Sequence, residues 1–221
     1  MLEELPTLDF DFIIIGGGTV GNVLANHLTE DPNISVLILK VDILLSQVPF
    51  FYPQVTPNMP LDWNFTTTEQ PGLNRHSITY PQGYGLGGSG AINYMYTCGL
   101  SQDYDCYAQI SGDPGWGWEA LQPYFLKNEC FITPAGCHNA YRAFDPVVHG
   151  FDGINSVSLP EYPHRMDGHI IQVTKELPSE FPFNLDYNSG YHLSISWTPF
   201  TIGNGIHSSS QTSYLGPEYV G

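Results

Sequence analysis

The chain has 221 residues, 42% of them hydrophobic, enough for one large core or two modest ones and too apolar for a disordered tail. Six Lys and Arg stand against 22 Asp and Glu, a formal charge of -16 at pH 7 that repels a phosphate backbone or an anionic membrane surface and excludes nucleic acid as a partner. No stretch approaches the roughly eighteen apolar residues of a membrane span, and the opening MLEELPTLDFDF shows neither the basic nor the apolar region of a secretory signal.

Phe10 and Phe12 to Ile15 read as a strand buried on both faces, which runs straight into Gly16-Gly17-Gly18-Thr19-Val20-Gly21. Val20, Val23, Leu24, Ala25 and Leu28 then recur at helical spacing until Asp31-Pro32, and Ser35 to Leu39 is a second apolar run of strand length. The unit is β-α-β and about thirty residues long, the context in which GxGxxG becomes a dinucleotide-binding fingerprint. Gly16 takes the tight turn, Gly18 has no Cβ to hold the backbone off a pyrophosphate, and Gly21 lets the helix lie close to the strand. The helix N-terminus offers free N–H groups and its positive dipole end to the phosphates.

One position departs from the pattern. Such folds end the second strand in Asp or Glu, which accepts hydrogen bonds from the adenosine ribose; here it ends in Lys40, which has only donors. Asp42 lies on the same face of a regular strand and substitutes only if the backbone slips. A phosphorylated ribose facing Lys40 is the third alternative, ranked last.

From Ile43 to Gln82 the chain is rich in Pro, Asn, Thr and aromatic residues without sustained periodicity, a long ordered excursion with short extended pieces. Trp118, Leu121, Phe125 and Leu126 predict a helix between Gly117 and Glu129, interrupted or restarted at Pro123. Ile170, Val173 and Leu177 predict another. Strands from Ile154 to Leu159 and from His192 to Trp197 are expected to share a separate antiparallel sheet.

Cys98, Cys106, Cys130 and Cys137 lack zinc-ligand spacing and read as free buried thiols, with closure of Cys130 on Cys137 left open. No metal site is expected. Asn33-Ile34-Ser35 and Asn64-Phe65-Thr66 are formal glycosylation sequons, read as chance without a signal peptide. A second glycine motif, PQGYGLGGSGAINYM over residues 81–95, suits a backbone packed flat against a planar ring. Ser89 within it is no hydrolase nucleophile, because a nucleophile elbow needs GxSxG and Gly90 is followed by Ala91.

At this point the chain resembles the glucose-methanol-choline (GMC) oxidoreductases, FAD-dependent alcohol oxidases and dehydrogenases, most closely their aryl-alcohol-oxidase-like fungal members. The resemblance rests on DFIIIGGGTVGNVLANHLTEDPNISVLIL and YPQGYGLGGSGAINYM. DWNFTTTEQPGLN, GDPGWGWEALQPYFLKNE, FDPVVHGFDGINSVSLP and GNGIHSSSQTSYLGP extend it over nearly the whole chain. It implies that Gly16, Gly18, Thr19, Val20 and Gly21 cradle the FAD pyrophosphate. Gly87, Gly88, Ser89, Asn93, Tyr94 and Met95 would lie along the isoalloxazine and its linker, with Tyr94 also bordering the substrate.

Several departures accompany it. Lys40 replaces the ribose acid, the signature's usual basic residues fall on Gln82 and Tyr84, and a tryptophan or similar group before the GxPGW turn is not recovered around Cys106-Tyr107. The stretch from Lys40 to Phe50 is shorter than the family's, and the family's catalytic His with its His or Asn partner falls beyond Gly221. Nothing in spacing singles out His27, His76, His138, His149, His164, His169, His192 or His207 as a substitute base, so no catalytic residue is assigned.

The fold expectation is α/β: a Rossmann-like FAD-binding domain over residues 1–150, then the start of an antiparallel α+β substrate-binding domain over residues 151–221 with a return to the first domain. The functional expectation is an FAD-dependent oxidoreductase acting on the CH–OH group of a small-molecule alcohol. Its alternative is a truncated, catalytically inactive relative, and a nicotinamide-dependent enzyme is disfavoured by the second glycine motif. Aryl-alcohol relatives are often secreted.

Overall fold

The computed structural model describes residues 9–40, 48–49, 60–95, 99–136, 140, 142–160, 162 and 164–216. In chain order the first elements are β1 (Phe12–Ile15), α1 (Thr19–Leu28), β2 (Val36–Leu39), β3 (Phe65–Thr66), β4 (Thr79–Tyr80), α2 (Ser101–Ser111), α3 (Trp118–Asn128) and β5 (Glu129–Phe131). They are followed by β6 (Asn155–Val157), α4 (Asp167–Glu176), β7 (Phe183–Asp186), β8 (Ile195–Trp197), β9 (Ile202–Gly203), β10 (Ile206–His207) and α5 (Ser210–Tyr214). The chain forms two compact units, residues 1–93 with 209–221, and residues 94–208. It thus re-enters the first unit at Ser209, and residue 150 lies within the second unit.

In the first unit β1 and β2 pair in parallel, Phe12 opposite Val36 and Ile15 opposite Leu39, with α1 as the crossover between them. The Asp11 carboxylate accepts from the Ser35 backbone N–H and hydroxyl, both at 2.8 Å, which fastens the start of β1 to the start of β2. Those bonds, the backbone one foremost, hold the Asp11 carboxyl below the usual carboxylate range. The excursion after β2 becomes, over its described part, an antiparallel hairpin of β3 and β4.

Burial differs from the sequence expectation. β1 is not covered on both faces: Ile13 is 60% and Ile15 87% exposed, because among the described residues the strand has one neighbour, β2, and lacks the second covering layer of a parallel sheet. On α1 the buried positions are Asn22 and Ala25 rather than Val20 and Leu24, which are exposed. The buried face is the one that meets α5.

In the second unit β5 pairs in parallel with β6, β7 in parallel with β8, and β9 antiparallel with β10. The two strands expected to share one antiparallel sheet exist but pair otherwise; an antiparallel bridge joins Ser158, which follows β6, to Phe200, three residues beyond β8. Phe131, Val157 and Leu159 form one core, joined by Phe144 and Trp197, and Met95, Phe200 and Ile202 form another. Both predicted helices form, with Pro123 inside α3. α2, which no periodicity marked, ends at Gly112 in the left-handed region at φ 71°.

Cys106 and Cys130 are free thiols, and Cys106 is exposed rather than buried. Cys98, Cys137 and the postulated closure of Cys130 on Cys137 lie outside the described residues, as does Asp42. Among the described residues no helix is long and apolar enough to cross a membrane.

Candidate functional site

The fingerprint forms the turn its glycines predict. Gly16 sits at φ 113°, a conformation other residues rarely adopt, and a Cβ on Gly21 would overlap the Gly16 carbonyl, so strand and helix approach through the missing side chain. Gly18 is the N-cap of α1 without a side-chain cap, and no acid stands in the first turn. The leading N–H groups, which have no intrahelical acceptor, therefore face no competing carboxylate.

The structure brings the two glycine motifs together, which their separation of some seventy residues does not reveal. The Gly87 N–H donates to the Gly17 carbonyl at 2.8 Å. The Thr19 hydroxyl donates to the Gly87 carbonyl at 3.1 Å and accepts from the Gly90 N–H at 3.0 Å. A Cβ on Gly88, at φ 58°, would lie 2.9 Å from the Gly18 Cα, and one on Gly18 would lie 3.9 Å from the Gly88 Cα. Gly16, Gly18, Thr19, Val20, Gly21, Gly87, Gly88 and Ser89 thus belong to one loop cluster at the start of α1. Ser89 is held in it, accepting from the Gly83 N–H at 3.1 Å and donating to Gln82 Oε1 at 3.0 Å, a turn-closing role with no base beside it.

Asn93 and Tyr94 are exposed, whereas Met95 is 1% exposed at φ 64° and packs with Phe200 and Ile202. The Met95 side chain thus belongs to a core of the second unit. Its carbonyl accepts from the Thr201 N–H at 2.8 Å.

Sequence reasoning missed the third wall. α5 carries a capping box, in which the Thr212 hydroxyl accepts from the Ser209 N–H at 2.8 Å. Ser210 accepts from Asn22 Nδ2 at 3.1 Å and donates to the Gly18 carbonyl at 3.4 Å, and a Cβ on Gly87 would meet Gln211 Cβ at 3.3 Å. Asn26 Nδ2 reaches the Tyr214 carbonyl at 3.1 Å. The run Ser208-Ser209-Ser210-Gln211-Thr212 was the available signal, since Ser followed three residues later by a side-chain acceptor marks a helix start.

At the ribose end the departure persists. Lys40 Nζ lies 5.9 Å from the centroid of the Trp63 ring, a cation–π contact. Trp63 in turn meets Tyr84 edge-on at 4.4 Å and stacks on Phe65 at 6.0 Å. The loop cluster fits a diphosphate, while the residue at the end of β2 gives a ribose no acceptor.

Comparison with known proteins agrees with this geometry. The family described as GMC oxidoreductase matches residues 10–219. "Dehydrogenase eriK" of Hericium erinaceus is 37% identical over 226 residues, covering 99% of this chain and 38% of that protein. "Pyranose dehydrogenase 3" of Leucoagaricus meleagris is 36% identical, covering 96% of this chain and 37% of that protein. Among solved structures, pyridoxine 4-oxidase from Mesorbium loti superposes with a TM-score of 0.77 at 25% identity, over 96% of this chain and 40% of that one. An FAD-dependent oxidoreductase from Chaetomium thermophilum gives 0.76 at 28%, over 93% and 36%. A fungal aryl-alcohol oxidase at 23% identity, TM-score 0.77, shares the fold. The chain therefore spans 37 to 38% of the length of these two curated relatives.

Proposed function

The chain belongs to the GMC oxidoreductase family, and from that premise we propose that its first unit holds FAD for the oxidation of a CH–OH group in a small alcohol or sugar. The observation that carries the reading is the uncapped, acid-free start of α1 with the second glycine motif bonded against it. In this reading the N–H groups of Thr19, Val20 and Gly21 hold the diphosphate, and Gly18 permits its close approach. Gly87 and Gly88 extend the same backbone surface toward the flavin, with Asn93 and Tyr94 assigned by the resemblance alone. When bound, the flavin supplies hydride acceptance. The relatives named pyranose dehydrogenases support a sugar donor as well as the primary alcohol expected from sequence.

Oxidation also needs a base for the hydroxyl proton, and two of the histidines are already engaged by carboxylates. His27 pairs with Glu30 at 2.6 Å, near the other end of α1 and about 12 Å along the axis from its first residue. His149 has both ring nitrogens engaged in the second unit. The second reading, favoured by these engagements and by the share of the relatives' length that the chain spans, is that these 221 residues bind the cofactor without turnover.

One experiment tests both. The chain is incubated with FAD, desalted and scanned, and bands at about 380 and about 450 nm are expected to stay with the protein. Anaerobic addition of an aryl alcohol or a pyranose is expected to leave the longer-wavelength band unbleached. A colourless protein overturns the cofactor assignment, and bleaching overturns the second reading alone.

The ribose end yields a separate expectation. Lys40→Glu restores an acceptor at the end of β2, and a charged hydrogen bond to a ribose hydroxyl corresponds to about tenfold tighter FAD binding. Fluorescence titration reads this directly, and unchanged or weaker affinity would show that residue 40 lies away from the ribose.

A further inference from the structure

The second unit carries a half-open cavity of ≈ 330 Å³, all of whose described lining residues lie between Tyr104 and Thr201. Aromatic rings dominate one wall. Tyr104 and Phe125 lie 5.3 Å apart, Tyr104 and Trp118 5.6 Å, and Trp118 and Phe125 5.9 Å. Trp118 is held at its main chain, where the backbone N–H donates to Asp105 Oδ1 at 3.0 Å, and its ring lies so close to Gly190, at φ 84°, that a Cβ there would meet it at 2.9 Å.

The one charged residue among the described lining is Glu129, and no Lys, Arg or His joins it. Its two oxygens are already committed, Oε1 to His149 Nδ1 at 2.9 Å and Oε2 to the Gly150 N–H at 3.2 Å. His149 Nε2 reaches Asp186 Oδ2 at 2.7 Å, so the buried group consists of two carboxylates and one imidazolium and keeps an excess negative charge behind the wall. A ligand that exploits this charge need not donate a hydrogen bond; it must carry positive charge on a body that the rings can flank. The negative faces of Tyr, Trp and Phe reward the same property.

We propose that this cavity binds a small organic cation of the quaternary ammonium class. The volume suits such a ligand with one aromatic or short aliphatic substituent. A neutral molecule of equal shape forfeits both the field of the carboxylates and the ring interactions.

The test uses the 221-residue chain with benzyltrimethylammonium as probe and N,N-dimethylbenzamide as its neutral counterpart, both followed by calorimetric titration. The cation is expected to bind saturably and at least about tenfold more tightly than the amide. Tyr104→Leu is expected to weaken it about fivefold or more. Trp118→Phe keeps a ring in the wall and is expected to remove most of the cation-induced change in tryptophan fluorescence, which locates the probe should Tyr104→Leu fail to fold. Equal affinities, or no saturable binding of the cation, overturn the proposal. Binding that is indifferent to both substitutions does so too, because it assigns the cation to the acidic surface.

Discussion

His149→Leu is expected to destabilise the second unit by about 3–5 kcal/mol, since it leaves two buried carboxylates facing each other with no positive charge between them. The His149 side chain is fully enclosed, and every carboxylate oxygen around it has a partner. Glu129 Oε2 takes the Gly150 N–H, Asp186 Oδ1 takes the Asn188 N–H at 2.9 Å, and Asp186 Oδ2 takes the Asp145 N–H at 3.0 Å as well as the imidazole. Burial pushes the imidazolium toward deprotonation, but its hydrogen bonds to Asp186 and Glu129 and their charges outweigh burial and raise His149 to about 9.

The sign of the pH dependence follows from that rise. The unfolded chain titrates this group near its ordinary value of 6.5 and the folded chain at about 9, so the stabilisation is complete below pH 6.5 and is lost as pH climbs through 9. It amounts to something on the order of 3 kcal/mol. Urea denaturation of parent and variant at pH 6.5 and pH 10, followed by tryptophan fluorescence, is expected to show a wide gap at the lower pH that narrows at the higher. A gap that does not change with pH would contradict a charged His149. The triple variant Glu129→Gln, His149→Leu, Asp186→Asn is expected to recover part of the loss, because no uncompensated charge remains.

Gly18→Ala is expected to leave the fold intact and to lower FAD affinity by at least about a hundredfold, or about 2.7 kcal/mol. Gly18 has φ -85° and ψ -166°, a conformation open to any residue, and the added Cβ meets nothing nearer than the Gly88 Cα at 3.9 Å. The chain without ligand therefore tolerates the methyl group, while a diphosphate seated on the backbone does not. Gly21→Ala is the contrasting case: its Cβ overlaps the Gly16 carbonyl, so stability and binding fall together. Circular dichroism and an FAD titration on both variants separate the two effects, and a Gly18→Ala chain that binds FAD like the parent would remove the diphosphate from this loop.

The sequence made the β-α-β start legible because its glycines, its apolar runs and the Asp31-Pro32 break are local signals, each tied to one backbone requirement. Lys40 was legible for the same reason, as a donor where an acceptor belongs. Long-range relations were not. Nothing local says that Thr19 bonds the Gly87 carbonyl and the Gly90 N–H, or that Ser210 returns to Asn22, because those contacts depend on the path of the chain. The alternation in Ile195 and Trp197 revealed a strand but not its parallel partner β7. His149 looked like one structural histidine among eight, since the acids that clasp it lie 20 residues before it and 37 after it. Its neighbours Gly150 and Gly153 were a hint: a Cβ on either would overlap the end of α3, the closeness that brings Glu129 to the imidazole.

If the first turn of α1 and the adjoining glycine bend hold the diphosphate of FAD through backbone amides, a titration of isotopically labelled chain with FAD, each amide followed by NMR, reads that contact residue by residue. Saturable shifts are expected to concentrate at Gly18, Thr19, Val20, Gly21, Gly87 and Gly88 and to be reproduced in part by adenosine diphosphate. Shifts absent from these amides, or scattered over the chain without saturation, would contradict a diphosphate held there.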